Sequence, residues 1–286
     1  HKIKIDSYDL EKSVLYKDFD DFNSSDDDFR LIRALIKIIK PNYGFHLIIQ
    51  SDFPVSSGLG GSSVVLSSIL GCFNQFRDSK WTLYDMSEIA YEAERLNLGI
   101  SGGWQDQYAT VFGGFNFIEF KLEENLVFPL RLDENILLEL EESLILCYTN
   151  TNHDSNKIHQ NQKINTSDDK VKNNILANVA LTYQMRNNLL KGDLNSFSKL
   201  LDKAWHFKKS FSSKISNSFL DKIYDGAIKN GASGGKLLGA GGGGYFLFFT
   251  PPKNRNKLIS WINHKGLAYT SFRFESKGLQ SWTYRK

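Results

Sequence analysis

Two apolar rhythms alternate along the chain. Short β-branched and aromatic runs, such as Phe45 to Ile49, predict strands, and apolar spacings of three and four predict helices. Leu31, Ile32, Leu35, Ile36 and Ile39 form one helical stripe over residues 29–39, closed by Pro41. A second helical pattern starts at Val64 and continues through Phe73 and Phe76. Thr82-Leu83-Tyr84-Asp85 has the form of a capping box and predicts a helix through Ile89, Ala90 and Ala93 to near Gly99. A short helix is expected from about Gln105, then a hairpin strand within the stretch that ends at Ile118. Residues 142–148 form a strand with apolar character on both faces. Residues 157–190 and 193–211 read as two amphipathic helices meeting at Gly192-Asp193, and 217–229 as another, closed by Asn230-Gly231. Tyr245 to Phe249 is a strand ended by Pro251-Pro252, followed by a helix over 254–265 and a last strand over 271–275. The first 29 residues predict one or two strands. Their acidic tract (Asp18, Asp20, Asp21, Asp26, Asp27, Asp28) reads as a solvated loop with a helix cap at Asp27 or Asp28, ahead of a metal site.

Length and composition narrow the class. A chain of 286 residues predicts about two domains. A net charge of +3 on scattered basic residues argues against a nucleic-acid partner. No apolar run approaches the roughly 20 residues of a membrane span, and the start is unlike a signal peptide. Cys72 and Cys147 lack metal spacing, so two buried free thiols in a reducing cytoplasm are expected. His1 to Ile5 resembles the middle of a strand, which leads us to expect a preceding segment.

Candidate chemistry centres on Pro54-Val55-Ser56-Ser57-Gly58-Leu59-Gly60-Gly61-Ser62-Ser63, between a strand and a helix. A strand, a glycine loop and a helix aim backbone N–H groups and the helix dipole at one point, which suits a phosphate. A tight turn with an N-cap fits this stretch equally well. The spacing is neither the Walker loop nor the dinucleotide G-x-G-x-x-G. Ser62 and Ser63 are placed to cap the helix or reach a metal. Glu88, Glu92 and Glu94 share the next helix and read first as its wet face, with Glu94 a minority candidate for function. Asp106 follows Ser101, Gly102 and Gly103 and either stabilises a first helical turn or, with Gln105 and Gln107, serves a site where substrate nears the backbone. The polar loop 149–155 either lines a site or meets solvent. His206, Lys208 and Lys209 read as solvated before they read as phosphate ligands. The glycines of 231–244 let one backbone lie flat on another, or on a ligand.

Three glycine-rich stretches in this order, with Glu94 and Asp106 twelve residues apart between them, resemble the GHMP kinases. The family's second motif looks like P-x-x-x-G-L-G-S-S and stands here as Pro54 to Ser62, with Gly61 where the first serine is usual. The run from Gly234 to Gly243 is similar to its third motif. The stretches 102–108, 112–120 and 235–244, with Ala204-Trp205, Lys208-Lys209 and Ser216-Asn217, resemble the D-glycero-D-manno-heptose 7-phosphate kinases within that family. The family's first motif has no counterpart.

The resemblance implies an α+β, two-domain GHMP kinase fold with the site between the domains. The first domain, over 1–140, would be ribosomal protein S5 domain 2-like, would bind ATP and would lack its first strands. The second, over 141–286, would be ferredoxin-like. It further implies ATP held by Pro54, Gly58, Leu59, Gly60, Gly61, Ser62 and Ser63, and Mg²⁺ held by Ser62 and Glu94. Asp106 would be the catalytic base, with Ser101, Gly102, Gly103, Gly241 and Gly242 at the substrate. The implied reaction phosphorylates the anomeric hydroxyl of a heptose 7-phosphate in the cytoplasm, with a small sugar phosphate as partner and no membrane or nucleic acid. Alternatives are a kinase for another sugar, such as fucose or galactose, and a non-catalytic nucleotide- or sugar-binding protein.

Overall fold

The computed structural model describes residues 1–52, 58–151 and 155–284. Packing divides the chain into two units, residues 1–113 with 277–286, and residues 114–276. The fold is α+β throughout, as expected.

In the first unit β1 (Ile3–Ser7) lies between antiparallel β2 (Lys12–Tyr16) and parallel β3 (Phe45–Ile49). Alternation turns Ile3 and Ile5 inward, where they meet Ile32, Leu35 and Ile36 of α2 (Arg30–Ile39) and Leu66, Ile69 and Leu70 of α3 (Gly61–Asn74). The acidic tract is partly helical. Asp18 caps a short α1 (Phe19–Ser24) by accepting from the Asp21 amide, and the N-cap of α2 is Phe29, not Asp27 or Asp28. Asp27 instead accepts from the Phe29 amide at 2.9 Å, Arg33 Nη2 at 2.7 Å and the Tyr16 hydroxyl at 2.6 Å. Among the described residues no group of acids, histidines and cysteines is arranged for a metal. The capping box forms as read: Thr82 and Asp85 exchange bonds at the start of α4 (Leu83–Tyr91). This helix widens into a π-helical turn, Glu92–Asn97, before α5 (Gln105–Phe112).

The C-terminal segment packs on this unit. The Leu279 amide donates to the Val111 carbonyl, and Leu279 occupies the space a side chain on Gly71 would need. Gly113 and Gly278 press backbone to backbone, and a Cβ on either would overlap the other's main chain. Cys72 lies on the exposed face of α3, so only Cys147 is buried and the expectation of two buried thiols is corrected. The apolar pattern around Cys72 is real, but position 72 falls on its outer side. Burial pushes the Cys147 thiol up to about 12.

The second unit holds a four-stranded antiparallel sheet in the order β7 (Gly234–Leu237), β8 (Tyr245–Phe249), β6 (Leu144–Tyr148), β9 (Ala268–Thr270). A separate hairpin pairs β4 (Asn116–Phe120) with β5 (Asn125–Pro129). α6 (Glu134–Ser143) runs directly into β6, so residues 142 and 143 are helical. The single helix expected over 157–190 is two, α7 (Ser155–Asn165) and α8 (Asp169–Leu190). Asp168 starts the second by accepting from the Lys170 and Val171 amides. Next come α9 (Leu194–Lys209), α10 (Ser218–Lys229) and α11 (Pro252–His264). β7 arises within a glycine-rich stretch because its neighbours leave no room for side chains. A Cβ on Gly234 would overlap the Ser198 carbonyl, and one on Gly235 would crowd Phe248. The last strand is 268–270, and no strand forms over 271–275. Among the described residues no helix is long and apolar enough to cross a membrane.

Burial raises the Asp27 carboxyl, but the Tyr16 hydroxyl, Arg33 and the Phe29 amide outweigh it and hold the group below the ordinary carboxylate value. A pKa depressed in the folded state stabilises above the unfolded value, about 4, and that contribution is lost as pH falls through the folded value. Asp27→Asn should therefore lower the thermal midpoint at pH 7, with the gap to wild type narrowing as pH falls below about 4.

Candidate active site

Gly60 adopts φ +76° and is the N-cap of α3, with no side chain capping the helix. The first N–H groups of a helix have no acceptor within it, so this end of α3 presents backbone donors. Gly58 also has φ +76°, a left-handed backbone that glycine adopts without strain. Pro54 lies outside the described residues. Ser62 and Ser63 do not cap the helix. They occupy its second and third positions and turn their hydroxyls onto one carboxylate: Ser62 Oγ donates to Glu94 Oε1 at 2.5 Å and Ser63 Oγ to Oε2 at 3.2 Å.

Glu94 is not on a wet face. It is 2 % exposed, whereas Glu88 and Glu92 face solvent. Met86, Ala90, Ala93 and Glu94 stand at i, i+4, i+7 and i+8, all buried, so helical spacing itself puts Glu94 on the inner stripe. Gln107 Nε2 donates to Glu94 Oε2 at 2.6 Å, and Arg95 Nη1 lies 3.4 Å from Oε1. Ser67 ties the layer together, donating to the Ser63 carbonyl and lying 3.0 Å from Thr110 Oγ1 on α5. Gln107 Oε1 is buried with no hydrogen-bond partner among the described residues.

Asp106 stands in the first turn of α5, against the glycine loop. A Cβ added at Gly60 would lie 3.4 Å from both Asp106 Cβ and Cγ. The structure thus brings Gly60, Ser62, Ser63, Glu94 and Asp106 together from three separate stretches. Ser101 and Gly102 join through Arg95, whose Nη1 is 3.4 Å from the Ser101 carbonyl and whose guanidinium fills the space beside Gly102. Gly103 meets nothing within 4 Å of a would-be Cβ. Sequence reasoning did not single out Arg95; its place beside Glu94 was the one available signal.

The glycines 239–244 belong to the second unit, where their local role is backbone packing. Gly241 presses on Ile215, the Gly242 amide donates to the Ile215 carbonyl at 2.8 Å, and Gly243 lies against Thr151. Thr149 is fully buried and donates to the Gly244 carbonyl. Lys208 and Lys209 are engaged, contrary to the solvated reading. Lys208 Nζ donates to the carbonyls of Leu237 and Gly239, and Lys209 pairs with Asp221 at 3.2 Å. Asn152 and His153 lie outside the described residues.

Residues 29–114 match the GHMP kinases N terminal domain and residues 185–265 the GHMP kinases C terminal domain. The chain is 35% identical over 286 residues to D-glycero-alpha-D-manno-heptose 7-phosphate kinase of Campylobacter jejuni, covering 98% of this chain and 84% of that protein. It belongs to the GHMP kinase family. This GHMP kinase is also similar to the crystal structure of a D-glycero-D-manno-heptose 1-phosphate kinase from Bacteroides thetaiotaomicron. That match has a TM-score of 0.77 and 28% identity, and covers 100% of this chain and 84% of the other. It is 29% identical to an L-fucokinase/L-fucose-1-P guanylyltransferase of Bacteroides fragilis, over 71% of this chain and 22% of that one. It is an ATP-dependent sugar kinase of the GHMP family.

Glu94→Ala would strip the acceptor from Ser62, Ser63, Gln107 and Arg95 together. A loss of about 3 kcal/mol is expected, the scale of a broken buried ion pair. Glu94→Gln, which keeps one acceptor oxygen and the shape, should lose less in the same urea titration.

Proposed function

We propose that this GHMP kinase phosphorylates the anomeric hydroxyl of D-glycero-D-manno-heptose 7-phosphate to give the 1,7-bisphosphate. The observation that carries the reading is Asp106 lying beside Gly60 at the mouth of α3, next to Ser62 and the buried Glu94 it donates to. Likeness to a kinase named for this sugar phosphate over nearly the whole chain supports the choice of substrate. Phosphoryl transfer depends on positioning and on neutralising charge more than on covalent help from the protein.

In this reading the backbone donors of residues 58–63 and the α3 dipole hold the nucleotide phosphates. Ser62 Oγ and Glu94 are the hard oxygen donors for Mg²⁺, which takes one or two protein oxygens and completes its shell with phosphate and water. The donor set fits: a carboxylate and a hydroxyl share a 2.5 Å contact, and an unmatched buried oxygen, Gln107 Oε1, lies on the same polar layer. When bound, the ion supplies neutralisation of phosphate charge. Asp106 orients the anomeric hydroxyl and accepts its proton. An anomeric hydroxyl is more acidic than an ordinary alcohol, which lightens the work of that base. Ser101, Gly102 and Gly103 form the sugar-side loop, and the reaction takes place in the cytoplasm. L-Fucose is a second substrate reading, favoured by the named fucokinase relative.

An ADP-release assay over heptose 7-phosphate, heptose 1-phosphate, fucose and galactose tests the substrate. Turnover should be highest on heptose 7-phosphate, and a higher kcat/KM on any other sugar would reject that choice. Asp106→Asn should lower kcat by about 10²–10⁴-fold with nucleotide binding retained. Near-normal turnover of that variant would remove Asp106 from its role as base.

A further inference from the structure

Arg95 carries no step of the proposed transfer, yet it is held unlike a surface arginine. Its side chain is 11% exposed, and its Nη1 stands 3.4 Å from Glu94 Oε1 and 3.4 Å from the Ser101 carbonyl. A Cβ on Gly102 would fall 2.6 Å from its Cζ, so the missing side chain at 102 makes room for the guanidinium. Its buried Nε has no hydrogen-bond partner among the described residues. One planar cation thus bridges the carboxylate of the proposed metal site and the loop of the proposed sugar site.

We propose that Arg95 is a positioning residue that couples occupancy of the Glu94 carboxylate to the Ser101–Gly103 loop. The inference rests on the site reading above. Oε1 is the oxygen that also accepts from Ser62, so a cation entering at Ser62 and Glu94 meets the guanidinium on the same atom. Arginine cannot discharge itself by losing a proton. Two cations on one oxygen repel, and Arg95 shifts its bonding toward its remaining partner, the Ser101 carbonyl, bringing the unused Nε–H with it. Metal and nucleotide loading therefore orders the sugar loop, and by linkage sugar binding tightens the nucleotide side equally. The carrier of the shift is the π-helical turn Glu92–Asn97, a form of helix frequent at functional sites. The structure also supplies a reporter. Trp104, directly after the loop, stacks on Tyr91, directly before the π turn, with ring centroids 3.4 Å apart and planes 5° from parallel.

Two measurements on wild type, Arg95→Lys and Arg95→Met test the coupling. The first is calorimetric affinity for heptose 7-phosphate with and without Mg²⁺ and a non-hydrolysable ATP analogue. Wild type should bind the sugar about tenfold tighter when loaded, within the usual range of coupling between sites. Arg95→Lys, which keeps the charge and loses the planar fork, should show no tightening. The second needs no sugar: the Trp104 emission, taken as the difference from Trp104→Phe, should respond to the loaded nucleotide in wild type and not in Arg95→Lys. Thermal melts check folding, and the lysine variant carries the test if the methionine one fails to fold. A Trp104 signal blind to the nucleotide in wild type, or a full response in Arg95→Lys, would overturn the coupling. If no sugar binds while Trp104 behaves as expected, the substrate reading fails and the coupling stands. Absence of any nucleotide heat would reject both.

Discussion

A carboxylate taken almost wholly out of water has to be met by donors, and Glu94 sets that demand for the first unit. Its two oxygens receive Ser62 and Ser63 from α3 and Gln107 from α5, with Arg95 alongside. Those donors come from three stretches of chain that apolar packing alone would align only loosely. Satisfying one buried charge fixes their relative placement to hydrogen-bond precision, and the glycine loop and Asp106 are carried into register with them. The same demand gathers a carboxylate and two serine hydroxyls at one point, oxygen groups of the kind a hard cation takes.

Glycine has two separable uses in this molecule. At Gly60 it supplies a left-handed turn and a bare surface on which Asp106 rests, and at Gly102 it opens a slot for a guanidinium. In the second unit Gly234, Gly241 and Gly243 instead let main chain meet main chain or a packed side chain. A glycine-rich stretch in sequence announces close approach. What approaches is a property of the fold, which is why the run 239–244 reads from sequence as ready for a ligand and yet spends its local contacts on Ile215 and Thr151.

Much of the fold was legible in the chain because local physics governs it. The stripe of α2, the Thr82–Asp85 box, the β6 and β8 strands and the α10 cap each follow from a few neighbouring residues. The misses share a cause. The break at 166–168, the strand at Gly234–Leu237 and the loss of strand character after residue 270 depend on which partner lies opposite, and local propensity is silent there. Cys72 shows the same limit, since an apolar neighbourhood does not say which side of the helix a residue occupies.

For the site, the sequence by itself determined the residue types and their order: a strand, a glycine loop with two serines, a glutamate, then an aspartate twelve residues on. Those are short-range patterns, and the kinase family follows from them. Only the tertiary structure decided that both serines turn onto Glu94, that Asp106 lies beside Gly60, and that Arg95 spans the carboxylate and the Ser101 carbonyl. The first two are contacts between segments whose separation along the chain carries no information about their distance in space. Packing and the hydrogen bonds of a buried charge set that distance.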